Sequence, residues 1–265
     1  ATITRRVSRT LAINGHYGLD YTRLLNIKSN FAAQPEIDRL FPQVRLSNVA
    51  TSLIRDTRND SIEPSAGSLI GADAELAARR IGSEVGFFKT FLQGFAYRQL
   101  PGSRRVVAVL GARVGLAAGF PRVVMQDGQV ESIVVDDLPA SERFYAGGDT
   151  TVRGFALDRL GTPETIDPAG FPRGGQGLVV LNAELRIPVR GVLGAVAFVD
   201  AGNVFRTIDD MDIGELRAAA GFGLRYRSPV GPIRVDLGIK LDRRMLPTGQ
   251  RERPTALHIS LGQAF

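Results

Sequence analysis

The chain has 265 residues, with 33 lysines and arginines against 27 aspartates and glutamates, a formal charge of +6, and neither cysteine nor tryptophan. Without cysteine it has no disulfide and no thiolate metal site. Without an apolar run near ~18 residues it has no transmembrane helix, a test that is blind to membrane strands.

Taken in chain order, the sequence predicts about eleven strands. A stub before Ser8 is followed by strands at roughly 9–26, 47–58, 67–80, 86–99, 104–119, 176–188, 194–204, 215–228, 231–242 and 256–265. Most reach ~10 residues, enough for a tilted strand to cross a bilayer. Residues from Ile3 to Val7 already read as the tail of a strand, and the chain begins at Ala1 with no initiating methionine and no signal peptide. It is therefore expected to be an N-terminally truncated piece that begins inside a domain.

Connections at Asn59–Ala66, Pro101–Ser103, Pro188–Gly191 and Ser228–Pro232 are short and rich in Pro, Gly or Ser, as tight turns are. Those at 27–46, 120–175, 205–214 and 243–255 are long, while the link at Gly82–Val85 is short but falls on the long side. Alternation of short and long connections is the habit of outer-membrane barrels, and it puts Phe265 on the periplasmic side.

The C-terminal strands carry the clearest pattern. Leu216, Ala218, Ala220, Phe222, Leu224 and Tyr226 share one face, against Arg217, Ala219, Gly221, Gly223, Arg225 and Arg227. Ile233, Val235, Leu237, Ile239 and Leu241 repeat the apolar face against Arg234, Asp236, Gly238, Lys240 and Asp242. Leu257, Ile259, Leu261 and Phe265 close the series against His258, Ser260, Gly262 and Ala264. Successive side chains alternate across a strand, so each ribbon has an oily wall and a charged or small wall. Oily walls toward lipid and charged walls toward a wet lumen give a transmembrane barrel.

Catalytic and metal patterns are missing from the sequence. Gly147-Gly148 opens no helix and lacks nucleotide-loop spacing, and there is no Gly-x-Ser-x-Gly elbow. His16 and His258 have no partner nearby in sequence. Asp209, Asp210, Asp212 and Glu215 do not keep calcium-loop spacing and read as a solvated loop. Nothing supports an enzyme, a cofactor or a metal. The arginines are spread singly along strands rather than clustered with stacking aromatics, which argues against nucleic acid.

One constellation remains. Val179, Leu181 and Ala183 mark an apolar face, so Glu184 points inward with Asn182 and Arg186, and Asp200 ends the next strand. If the long segment 120–175 folds inward, Arg153 can reach both acids, and its fork matches a carboxylate in two-point geometry. The pattern alone leaves the alternative open, in which the acids are ordinary lumen charges and Arg153 lies on the surface.

Val152-Arg153-Gly154-Phe155, preceded by Phe144-Tyr145-Ala146-Gly147-Gly148, resembles the signature loop of outer-membrane assembly factors of the BamA/TamA type (the bacterial surface antigen barrel). Arg55-Asp56-Thr57-Arg58-Asn59-Asp60 is similar to the family's strand-to-turn segment, with the usual proline late, at Pro64. Asn182 to Pro188, Phe198 to Val204, Arg227 to Asp236 and Leu257 to Phe265 are similar to its last strands, in order. The resemblance covers essentially the whole chain.

It implies an all-β fold, a transmembrane antiparallel β-barrel of which residues 1–265 form the C-terminal part, about eleven of sixteen strands. Residues 120–175 would be a lumen-inserted loop, and the POTRA domains and first strands would be absent. Val152, Arg153, Gly154 and Phe155, with Gly147 and Gly148, would form the loop motif, anchored by Glu184 and Asp200. Leu257, Ile259, Leu261, Gly262 and Phe265 would form the terminal strand at a weak seam. Gly262 has no side chain to lock pairing, and the aromatic end suits a membrane interface. The implied activity is folding and insertion of β-barrel proteins into the outer membrane of a Gram-negative-type bacterium, without a cofactor. A two-partner-secretion transporter, which shares the loop and acids, is the alternative. Implied partners are outer-membrane lipids, client β-barrel proteins, and periplasmic chaperones or accessory lipoproteins.

Overall fold

Residues 1–23, 43–102, 105–126, 129–136, 138–229, 231–245 and 249–262 are described by the computed structural model. The strands are β1 (Thr2–Arg6), β2 (Leu11–Arg23), β3 (Gln43–Asp56), β4 (Ala66–Ala77), β5 (Phe87–Gln99), β6 (Val107–Gly119), β7 (Pro121–Gln126), β8 (Gln129–Asp136), β9 (Gly177–Arg190), β10 (Leu193–Phe205), β11 (Arg217–Ser228), β12 (Gly231–Lys240) and β13 (Thr255–Leu261). Eleven of them form one antiparallel sheet in the order β1-β2-β3-β4-β5-β6-β9-β10-β11-β12-β13, which is the expected all-β meander. Most of the expected 27–46 connection, the tail of the expected 9–26 strand, and Phe265 fall outside the described residues.

Two expectations shift. The segment 120–175 is not irregular throughout, because β7 and β8 pair as a separate two-stranded ribbon. Val123, Val124, Ile133, Val134 and Val135 supply the β-branched residues that favour this. The irregular loop begins at Leu138. Strand β3 also starts at Gln43, earlier than expected, because Val44 and Leu46 lie on the inner face and break the outward apolar signal.

Turn chemistry explains the density of Asn and Asp between β3 and β4. Arg58 grips Asp56 with Nε–Oδ1 at 3.0 Å and Nη2–Oδ2 at 2.8 Å. Asn59 Oδ1 accepts the backbone N–H of Ser65 and Ala66, each at 3.0 Å. Asp60 Oδ1 accepts those of Ile62 and Glu63 at 2.7 and 2.8 Å. Such side chains replace backbone partners in a tight turn. Arg227 then reaches Glu63, with Nε–Oε1 at 2.9 Å, joining this turn to the β11–β12 hairpin six strands away in sheet order. The sheet is curled enough for its two parts to touch.

Burial is inverted relative to a water-soluble protein. Phe222, Leu224 and Ile259 are 59%, 64% and 71% exposed, whereas Arg153 and Arg234 are 1% and Asp200 and Asp236 0% exposed. The oily faces do not stack on one another; they form the outer wall, as a strand surface in lipid does. The inner side is not uniformly polar. Val152, Phe155, Leu160, Leu178, Val180 and Val204 belong to one buried apolar cluster under the loop. Phe95, Tyr97, Val107 and Val109 form a second. Once a loop covers part of the inner wall, that part is a packed interior and favours apolar residues.

Candidate functional site

The loop from Leu138 to Gln176 is closed at its base, where Phe144 and Gly175 exchange backbone hydrogen bonds of 2.8 and 3.0 Å. Nearer the apex, Leu160 N–H donates to Ala146 O at 2.9 Å and Gly148 N–H to Phe155 O at 3.0 Å. Gly147 N–H donates to Thr151 Oγ1 at 2.8 Å. Gly147 is at φ +108°, and a Cβ there would stand 2.3 Å from Ala156 O, so this tight turn requires glycine. Gly148 has φ +101°. The turn presents Val152 and Phe155 into the apolar cluster and Arg153 to the acids.

Arg153 is fully engaged. Its Nε and Nη2 donate to Asp200 Oδ2 and Oδ1 at 2.8 and 2.9 Å, and Nη1 donates to Glu184 Oε2 at 2.5 Å. Its backbone N–H also donates to Asp200 Oδ2, at 3.1 Å. The guanidinium carbon lies 3.5 Å from the centre of the Phe198 ring. Burial alone would push the Arg153 pKa down; hydrogen bonds and charge from Asp200 and Glu184 outweigh that and hold it above the ordinary arginine value. The loop arginine is therefore a fixed cation whose two-point bond to Asp200 sets its orientation.

Neighbouring strands hold the rest of the apex. Asn182 Nδ2 donates to Thr151 O at 2.7 Å and to Asp200 Oδ1 at 2.8 Å. Arg113 Nη1 donates to Thr150 O at 2.8 Å, and Arg234 Nη2 to Asp149 Oδ2 at 2.6 Å. Phe155 lies between two cations, Arg217 at 4.5 Å and Lys240 at 4.7 Å from its ring centre. Gly154 lies so close to β11 that a Cβ there would be 2.4 Å from Ala219 Cβ.

The model of the Omp85 superfamily domain matches residues 1–265. The chain belongs to the Omp85 superfamily. This Omp85 chain is 28% identical over 222 residues to the outer membrane protein assembly factor BamA of Neisseria meningitidis, covering 72% of the chain and 26% of that protein. It is 30% identical over 202 residues to BamA of Nitratidesulfovibrio vulgaris, covering 74% of the chain and 23% of that protein. Crystalline BamA from Haemophilus ducreyi lacking POTRA domains 1–3 superposes with a TM-score of 0.74 at 19% identity, over 98% of this chain and 53% of that one. That likeness establishes the barrel-wall fold. The chain spans about a quarter of the length of these two BamA proteins.

Several participants had weak sequence signals. Asp236 is a third buried acid, accepting from Arg225 Nη1 at 2.5 Å and lying 4.0 Å from Arg153 Nη1. Arg217 donates through Nε to Asp242 Oδ2 at 2.9 Å and through Nη2 to Glu252 Oε2 at 2.5 Å, fastening the β12–β13 connection beside Phe155. Inward parity could have selected these strand residues, but so it does for every lumen charge. Of the expected terminal-strand residues, Leu257, Ile259 and Leu261 are 63%, 71% and 61% exposed on the outer face. Gly262 has φ +99° just beyond β13. Asp210 and Asp212 serve their own loop, accepting from Thr207 N–H at 3.0 Å and Gly214 N–H at 2.7 Å.

Proposed function

We propose that this chain forms the C-terminal part of the membrane barrel of an outer-membrane assembly factor, which folds and inserts β-barrel clients at a seam beside β13. The likeness to the BamA assembly factors supports the reading, and the burial of Arg153 against Glu184 and Asp200, at a loop apex on the inner side of the sheet, separates it from an open pore. A passive pore would keep that space open for solute; here Val152, Arg153, Gly154 and Phe155, turned by Gly147 and Gly148, fill it. Strand β13 pairs with β12 and is last in the sheet order of the described residues; in this reading it is the seam strand whose N–H and C=O groups meet an incoming strand. Strand addition of that kind needs no cofactor. Leu257, Ile259 and Leu261 of β13, with Gly262 just beyond it, form the client-facing strand, with the C-terminus on the periplasmic side. Residues 1–265 are the C-terminal portion of the family's barrel, with 138–175, the part of the 120–175 stretch beyond the β7–β8 ribbon, as its inward segment. Lipids of the outer membrane, client barrels, and periplasmic chaperones or accessory lipoproteins are the partners.

The test is reconstitution of the full-length protein in phospholipid vesicles with an unfolded small client barrel. Protease-resistant, membrane-inserted client should accumulate faster than in empty vesicles, and Arg153→Ala should slow it. Delivery of the polypeptide across the bilayer without insertion would replace this reading with secretion.

A further inference from the structure

Strand β13 is held unevenly. It has seven residues and ladder pairing to β12, from Ile233↔Leu261 to Ile239↔Thr255. Within the described residues β12 is its one strand partner. Its outward residues, Leu257, Ile259 and Leu261, lie on the exposed oily wall. Its inward row is Ala256, His258 and Ser260. Ala256 is too short to cross to the loop, and Ser260 Oγ is buried without a hydrogen-bond partner. His258 crosses. Its Nε2 lies 2.9 Å from the backbone carbonyl oxygen of Arg153. A carbonyl can only accept, so Nε2 carries the proton and donates.

The surroundings are shaped for that contact. Arg153 O sits directly over β12 at Gly238, where a Cβ would approach it to 2.1 Å. Gly238 pairs in register with Ala256, and Asp236 with His258. Two small residues side by side thus leave room for the loop carbonyl, and the next inward position of β13 supplies its donor. The same residue whose side chain binds β9 and β10 binds β13 through its backbone.

We infer that His258 is a positioning residue that ties the terminal strand to the loop apex, so that the seating of Arg153 and the place of β13 are set together. Breaking this bond frees the inner side of β13 while Arg153 stays on Glu184 and Asp200. The inference rests on the assembly reading only for the use made of β13; the coupling itself is a property of the barrel.

The experiment is amide hydrogen exchange on the full-length protein in phospholipid vesicles, followed by mass spectrometry of peptides covering 150–156 and 255–262. His258→Leu keeps bulk and removes the donor; His258→Gln keeps an N–H at similar reach. Leucine should speed exchange of β13 roughly tenfold, and glutamine should restore slow exchange. Wild-type exchange in both variants, or equal loosening in both, overturns the inference. Client insertion is measured in the same vesicles. A wild-type protein that inserts no client would sink the assembly reading and leave the exchange result standing.

Discussion

Glu184 and Asp200 are diagonal neighbours on β9 and β10: Asp200 pairs with Asn182, and Glu184 with Phe198. Two carboxylates placed directly opposite would repel at close range. The diagonal step leaves a gap that one guanidinium fills, with Asn182 donating to Asp200 from the other side and Phe198 under the guanidinium plane. One register thus sets two acids, an amide and an aromatic platform around a single arginine.

Removing that arginine should release the loop and leave the wall intact. Arg153→Ala leaves Asp200 buried without its cation, while Glu184 keeps Arg186, whose Nε donates to it at 2.8 Å; the loss in loop docking should be about 3–5 kcal/mol. Arg153→Lys keeps the charge without the fork and should fall between. Limited proteolysis of 138–176 reports the loop, and the gel shift between boiled and unboiled samples reports the wall. Wild-type cleavage rates in both variants would remove the anchoring role.

Gly238→Ala should destabilise the barrel by about 1–3 kcal/mol, because the new methyl meets the Arg153 carbonyl and the loop must lift. Gly94→Ala is the control, since a Cβ there has nothing within 4 Å. Thermal unfolding in detergent would show equal shifts for the two if close approach of the loop were irrelevant.

The outer wall makes its own prediction. Leu224, 64% exposed, should tolerate phenylalanine and resist lysine. If it sits near the bilayer midplane, Leu224→Lys should cost about 2–4 kcal/mol, read from urea titration in vesicles. A near-zero change would mean this face does not meet hydrocarbon there.

Acid should loosen the β12–β13 connection. Burial would raise the Glu252 pKa, but Arg217 outweighs it and holds it below the ordinary value of 4.5. A depressed carboxylate contributes its full stabilisation above the unfolded value, and that is lost as pH falls through the folded one. Protease sensitivity around 249–255 should stay constant above pH 4.5 and rise below it. Glu252→Gln should be sensitive already at neutral pH, and a flat profile for both proteins would count against the Arg217 tie.

Period-two alternation was enough to read the meander, the outward direction of Leu224 and Ile259, and the inward direction of Glu184 and Asp236, because strand geometry is local. The ribbon β7–β8 escaped because its valines and its one isoleucine, Ile133, lie within a stretch whose length suggested a loop. His258 was visible only as a polar-face residue, since its partner is a backbone carbonyl 105 positions away and backbone atoms leave no mark in composition.

What the sequence determined by itself is which side of each ribbon is oily, since alternation is written residue by residue. Only the tertiary structure decided which charges meet. Register brings Asp200 beside Asn182, and the fold of the loop carries Arg153 across to them. A shift of two residues along β10 would keep every side chain on the same face while giving the arginine a different neighbour.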